Sequence, residues 1–110
     1  MYTQEQRDKL LHVIMDGIAV RCKTEEESFE LSAILDNFGV YWVSGLSMRS
    51  YSVWDNYEEE TTYVFDCMGN GIMYSPQRWY KENGYTVVDF SEVMTSEPQS
   101  AVSLMEYMSL

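Results

Sequence analysis

Apolar positions recur along this chain with two periods, and the places where the period changes mark its elements. Leu10, Leu11, Val13 and Ile14 supply the apolar side of a first helix, opened by the capping-box pair Thr3 and Gln6 and ending near Asp16-Gly17. Ile18, Val20 and Cys22 then alternate, which predicts a short strand with those three on one face. Thr24 before Glu25, Glu26 and Glu27 forms a second capping box, and carboxylates in a first turn suit the positive end of the helix dipole. Leu31, Ile34, Leu35 and Phe38 follow at helical spacing, and Gly39 stands where a left-handed cap belongs. A helix over 25–38 is therefore predicted.

Val40 to Val43 restarts as a strand and is broken by Ser44-Gly45. Leu46 to Tyr57 carries Tyr51, Trp54 and Tyr57 at three-residue spacing among polar residues, which fits an exposed loop or an irregular edge strand. Thr61 to Cys67 and Ile72 to Tyr74 pair as a hairpin, with Asn70-Gly71 supplying the positive φ angles of its turn. Ser75 as N-cap and Pro76 as first helical residue open a short helix that Gly84 closes. Tyr85 to Phe90 is the last strand, and Ser91 with Glu92 starts one further turn. Beyond Thr95, Ala101, Leu104, Met105 and Met108 return at helical spacing, as a helix docked on its own domain or a partner-binding one. The order predicts an α+β fold: a small, mainly antiparallel sheet of four to five strands with two to three helices packed on it. One domain covers 1–94, with a tail over 95–110.

Charge changes the picture. Across 110 residues, 18 Asp and Glu oppose 7 Lys and Arg, a net charge of −11. The 45% hydrophobic content is too rich for a disordered acidic tail. The acidity argues against direct binding to nucleic acid or to an anionic membrane, since both need cations to meet phosphate. No apolar run approaches the ~20 residues of a membrane span, and the charged N-terminus does not read as a signal peptide. The charge is also unevenly placed. Residues 1–23 are slightly basic, whereas residues 24–77 hold ten acids against Arg49 alone, for −9. Two blocks dominate: Glu25, Glu26, Glu27 and Glu30 at a helix start, and Asp55, Glu58, Glu59 and Glu60 after Trp54. Capping accounts for the first. The second has no local explanation, and with Tyr51, Trp54 and Tyr57 it makes a contact surface for a basic partner, the rings burying area while the acids steer encounter. Whole-surface imitation of DNA falls short: one charge per ~570 Å² compares with one per ~100 Å² on a duplex. Imitation by one face, with Glu26 and Glu30 joining the second block, is the form the charge allows.

Catalytic chemistry finds little support. His12 is the sole histidine and reads as a partly packed helix-surface residue; Cys22 and Cys67 read as two buried strand thiols in a reducing compartment. Asp55 and Glu58 could hold a divalent ion or act as acid and base, but no second signature accompanies them. P-loop, Rossmann, GxSxG and HExxH motifs are absent from the sequence. The expectation is a non-enzymatic protein without a cofactor or metal, monomeric or homodimeric. Nine Tyr, three Trp and four Phe admit an alternative, a pocket for a planar ligand such as a nucleotide signal, although Arg49 alone could meet an anion in the aromatic-rich stretch. A third reading is an accessory or structural subunit that associates through the 101–108 stripe.

The run Val20-Arg21-Cys22-Lys23-Thr24-Glu25-Glu26-Glu27, then Leu31, Leu35 and Gly39, then Tyr41-Trp42-Val43-Ser44-Gly45, resembles a recurrent pattern in small uncharacterised bacteriophage accessory proteins. The closing Gly84-Tyr85-Thr86-Val87-Val88-Asp89-Phe90 is similar too, so the resemblance spans about residues 18–94. These motifs are caps, a helix stripe and turns, and imply no catalytic residues. The resemblance implies a phage accessory protein in the host bacterial cytoplasm, where small acidic proteins block defence proteins, including CRISPR effectors with basic nucleic-acid channels.

Overall fold

The computed structural model describes residues 2–95, so the 101–108 stripe lies outside the described residues. Thr3 and Gln6 close the expected capping box on α1 (Gln4–Met15), each side chain meeting the other residue's backbone N–H. β1 (Ala19–Arg21) follows, and then α2 (Glu25–Asn37), where the Thr24 side chain accepts from the Glu27 N–H. A one-turn helix, α3 (Trp54–Tyr57), runs into a 3-10 turn over Glu58–Glu60. The hairpin β2 (Thr61–Asp66) and β3 (Gly71–Pro76) leads to α4 (Gln77–Glu82), β4 (Val87–Asp89) and α5 (Phe90–Met94).

The α+β class is as predicted. The four strands lie in the order β3-β2-β1-β4; β2 pairs antiparallel with both β3 and β1, while β1 and β4 run parallel. The sheet is thus mixed, with two antiparallel pairings and one parallel. Strand alternation separates its faces. Val20, Tyr63 and Ile72 join Leu10, Val13 and Ile14 of α1, Leu31, Ile34 and Leu35 of α2, and Phe90 and Val93 of α5 in the main core. Ala19 and Val64, one position out of phase, meet Tyr80 of α4 on the other face. Full burial of a Leu, Ile or Phe is worth about 1.5–3 kcal/mol, so the first face carries most of the stability.

Five local expectations are corrected, each for a physical reason. Val40 to Val43 forms no regular strand: Trp42 makes one parallel bridge to Ile72, and its N–H already donates to Leu46 O at 2.9 Å, so the chain turns back at once. The hairpin register pairs Asp66 with Gly71 and leaves four residues in the loop. Asn70 takes the positive φ (56°), but Gly71 does not; a Cβ there would lie 2.7 Å from the Trp42 and Val43 backbone. Close approach, not turn geometry, requires that glycine. Ser75 is no cap, because it pairs with Thr62 in β3; Pro76 is the N-cap of α4. The last strand is only three residues long, since the Asp89 and Glu92 side chains close a capping box that starts α5 at Phe90. Cys22 is buried as expected, but Cys67 falls in the hairpin loop and is exposed; both thiols are free.

Candidate partner-binding face

The strand order brings four chain segments to one end of the sheet. Arg21, the last residue of β1, pairs with Thr62 on one side and Asp89 on the other, and Thr61 opposes Pro76. Directly beyond this row lie the 3-10 turn over Glu58–Glu60, the starts of α2 and α5, and the start of α4. Adjacent strands are ~4.8 Å apart, so the ends of β2, β1 and β4 fall within about 10 Å. Both acidic blocks therefore meet, although 30 residues separate them in sequence. Among the described residues, Glu25, Glu26, Glu27, Glu58, Glu59, Glu60, Asp89 and Glu92 share this end with Arg21, Lys23 and Arg78.

A chain of contacts joins the blocks. Arg21 Nε donates to the Glu59 carbonyl at 2.7 Å, and its Nη1 lies 3.5 Å from Asp89. Lys23 Nζ lies 3.8 Å from the same carboxylate, and the Lys23 backbone N–H donates to Glu27 at 2.8 Å. Two of the three cations at this end are thus already engaged with protein groups. The field of the first block is felt inside the molecule. Burial, then Glu30, Glu27 and Glu26, push the Tyr2 phenol up to about 12, and its hydroxyl donates to Glu30 at 3.2 Å. Burial, with Glu27, Asp89 and Glu30 behind it, holds the Cys22 thiol well above its ordinary range, so it stays protonated.

The second block is presented differently. Asp55, Glu58 and Glu59 are exposed, and Glu60 is half-buried with Gln77 Nε2 donating to its carboxylate at 2.7 Å. Glu58 has φ 48° and ψ −123°, the geometry of the first central residue of a type II′ turn, where glycine is the usual occupant. Non-glycine residues held there cost of order 1–3 kcal/mol. The end of the stretch expected as loop or edge strand, Trp54–Tyr57, is thus a helical turn, and the strained backbone at Glu58 follows it before β2.

The aromatic expectation is partly redrawn. Tyr51 and Tyr57 are exposed, but Trp54 is half-buried and makes no ring contact among the described residues. Instead Tyr51 stacks on Trp42 at 4.9 Å, Trp42 meets Tyr74 edge-on at 5.7 Å, and Tyr74 meets Tyr57 at 6.0 Å. Asn56 Nδ2 donates to the Tyr74 hydroxyl at 3.1 Å and ties α3 to this strip. Sequence reasoning missed the buried Trp42 and the half-buried Tyr74 as the rings that link Tyr51 to Tyr57; the signal was the Gly71 close approach, invisible until β3 is placed beside residues 41–43. His12 is exposed, 3.9 Å from Asp16 one helical turn on. Among the described residues no group of three or more His, Cys, Asp or Glu is placed to hold a metal ion, and no helix is long and apolar enough to cross a membrane. No protein-family model, curated protein or solved structure matches the chain.

Proposed function

We propose that this chain is a non-enzymatic binding protein whose acidic sheet end covers a basic, nucleic-acid-binding surface of another protein. The observation that carries the reading is the convergence of Glu25–Glu27 with Glu58–Glu60 at one end of the sheet. Carboxylates gathered on one end offer a basic groove the local charge pattern that the whole surface is too dilute to offer. Strain at Glu58 supports it, because an unfavourable backbone geometry persists only where the surrounding structure over-determines it. Tyr57, exposed and adjacent to Glu58 in the chain, flanks the acids with a ring that buries area on contact. In the setting implied by the resemblance to bacteriophage accessory proteins, the partner is a host defence protein, CRISPR effectors included, in the bacterial cytoplasm.

The test is competition. Nucleic-acid-binding defence proteins, CRISPR effectors first, are loaded with labelled DNA and titrated with the chain at low and high salt. Displacement is expected at low salt and should weaken steeply as salt rises, because exposed charges are screened. Glu58→Ala, Glu59→Ala and Glu60→Ala together should weaken displacement about tenfold. Salt-independent capture, or a triple variant that competes as well as the parent, would sink the proposal.

A further inference from the structure

The core stripe of α2 leaves another side of that helix unused, and there Phe29 and Ser32 face the segment 48–52 across a groove of about 460 Å³. That size lies within the range of clefts that hold small ligands. Met48, fully buried, also lines it; Arg49, Tyr51 and Ser52 form the opposite wall. Phe29 is 54% exposed, a large apolar ring outside a core that is complete without it. Tyr51 is pre-positioned, since its stack on Trp42 holds the ring while leaving it 40% exposed.

Arg49 sets the chemistry. It is the only cation between Thr24 and Gln77. Its Nε lies 3.4 Å from an Asp36 carboxylate oxygen, and neither terminal Nη has a partner among the described residues. A guanidinium offers paired N–H donors that match a carboxylate or a phosphate, and these two are unspent. We infer that the groove binds a small aromatic anion, its ring against Phe29 and Tyr51 and its single phosphate or carboxylate on the Arg49 Nη atoms. One guanidinium within a −9 stretch suits one anionic group and disfavours a polyphosphate. This site is separate from the acidic sheet end, because none of Glu58, Glu59 and Glu60 lines it; Tyr51 is the residue it shares with the ring strip.

The experiment titrates the whole chain with four probes, read by calorimetry and thermal shift. AMP carries a ring and a phosphate, indole-3-acetate a ring and a carboxylate, adenosine the ring alone, and inorganic phosphate the anion alone. Binding by AMP, indole-3-acetate or both is expected, at least tenfold tighter than adenosine or phosphate; which of the two binds assigns the anion. Arg49→Ala should remove the preference for the charged probe by weakening it about 10- to 100-fold, and Arg49→Lys should restore part of it. Phe29→Ala should weaken charged and neutral ring probes together. The Glu58, Glu59 and Glu60 triple variant should bind as the parent does, so that failure here and failure of the partner proposal remain distinguishable. The inference is overturned if no probe binds at millimolar concentration, or if AMP or indole-3-acetate binds a folded Arg49→Ala chain unchanged.

Discussion

The acid-rich start of α2 and the Asp55 to Glu60 block both lie near one end of the sheet, yet the fold treats them in opposite ways. At α2 the carboxylates are used: Glu27 accepts from the Lys23 N–H, Glu30 accepts from Tyr2, and the first turn sits on the positive end of the helix dipole. In the second block, among the described residues, only the Glu60 side chain has a hydrogen-bond partner, and Glu58 holds a backbone geometry that disfavours any residue but glycine. One block stabilises the chain that carries it; the other is held in place at a cost. The difference teaches that equal charge in a sequence does not mean equal availability, and that the turn after Tyr57 is the better place to seek a contact.

The strongest way to break this contrast is Gly71→Ala. Its Cβ would collide with the Trp42 and Val43 backbone, separating residues 41–43 from β3 and loosening the ring strip that flanks the second block. A loss of about 3 kcal/mol in urea unfolding is expected, with Tyr51 and Tyr57 becoming more exposed while the α2 start is unaffected. Next comes a pair with opposite signs. Thr24→Ala removes the acceptor for the Glu27 N–H and should cost about 1 kcal/mol. Glu58→Gly relieves the strained φ, partly offset by the freedom glycine gives the unfolded chain, and should stabilise by up to about 1 kcal/mol. Equal losses from both variants would erase the distinction between the blocks. The smallest effect is a titration. The raised phenol of Tyr2 means that the folded chain keeps a proton the unfolded chain releases near pH 10, so this contribution is present below pH 10 and is lost as pH rises towards about 12. Glu30→Gln should lower the Tyr2 midpoint without returning it to 10, because burial is the larger cause; ultraviolet difference titration of tyrosinate measures it.

Local devices were legible before any coordinate. Both helix N-caps, the core stripe Leu31, Ile34 and Leu35, the β2–β3 hairpin and the left-handed Gly39 depend on residues within about seven positions of one another, where spacing alone states the geometry. The candidate face was half legible: the acids and Tyr57 were nameable, but Trp54 is half-buried and outside the ring strip, in which the buried Trp42 and half-buried Tyr74 link Tyr51 to Tyr57. Composition and spacing determined the class of fold, the helix boundaries at α1 and α2 and the location of the charge, because capping, amphipathic period and Coulomb repulsion act over short chain distances. Tertiary structure alone decided the strand order β3-β2-β1-β4 and the parallel pairing of β1 with β4. It also decided the meeting of two acidic blocks 30 residues apart and the groove between Phe29 and Arg49. Those depend on which strands neighbour one another, and strand pairing is settled by long-range packing rather than by the residues next in line.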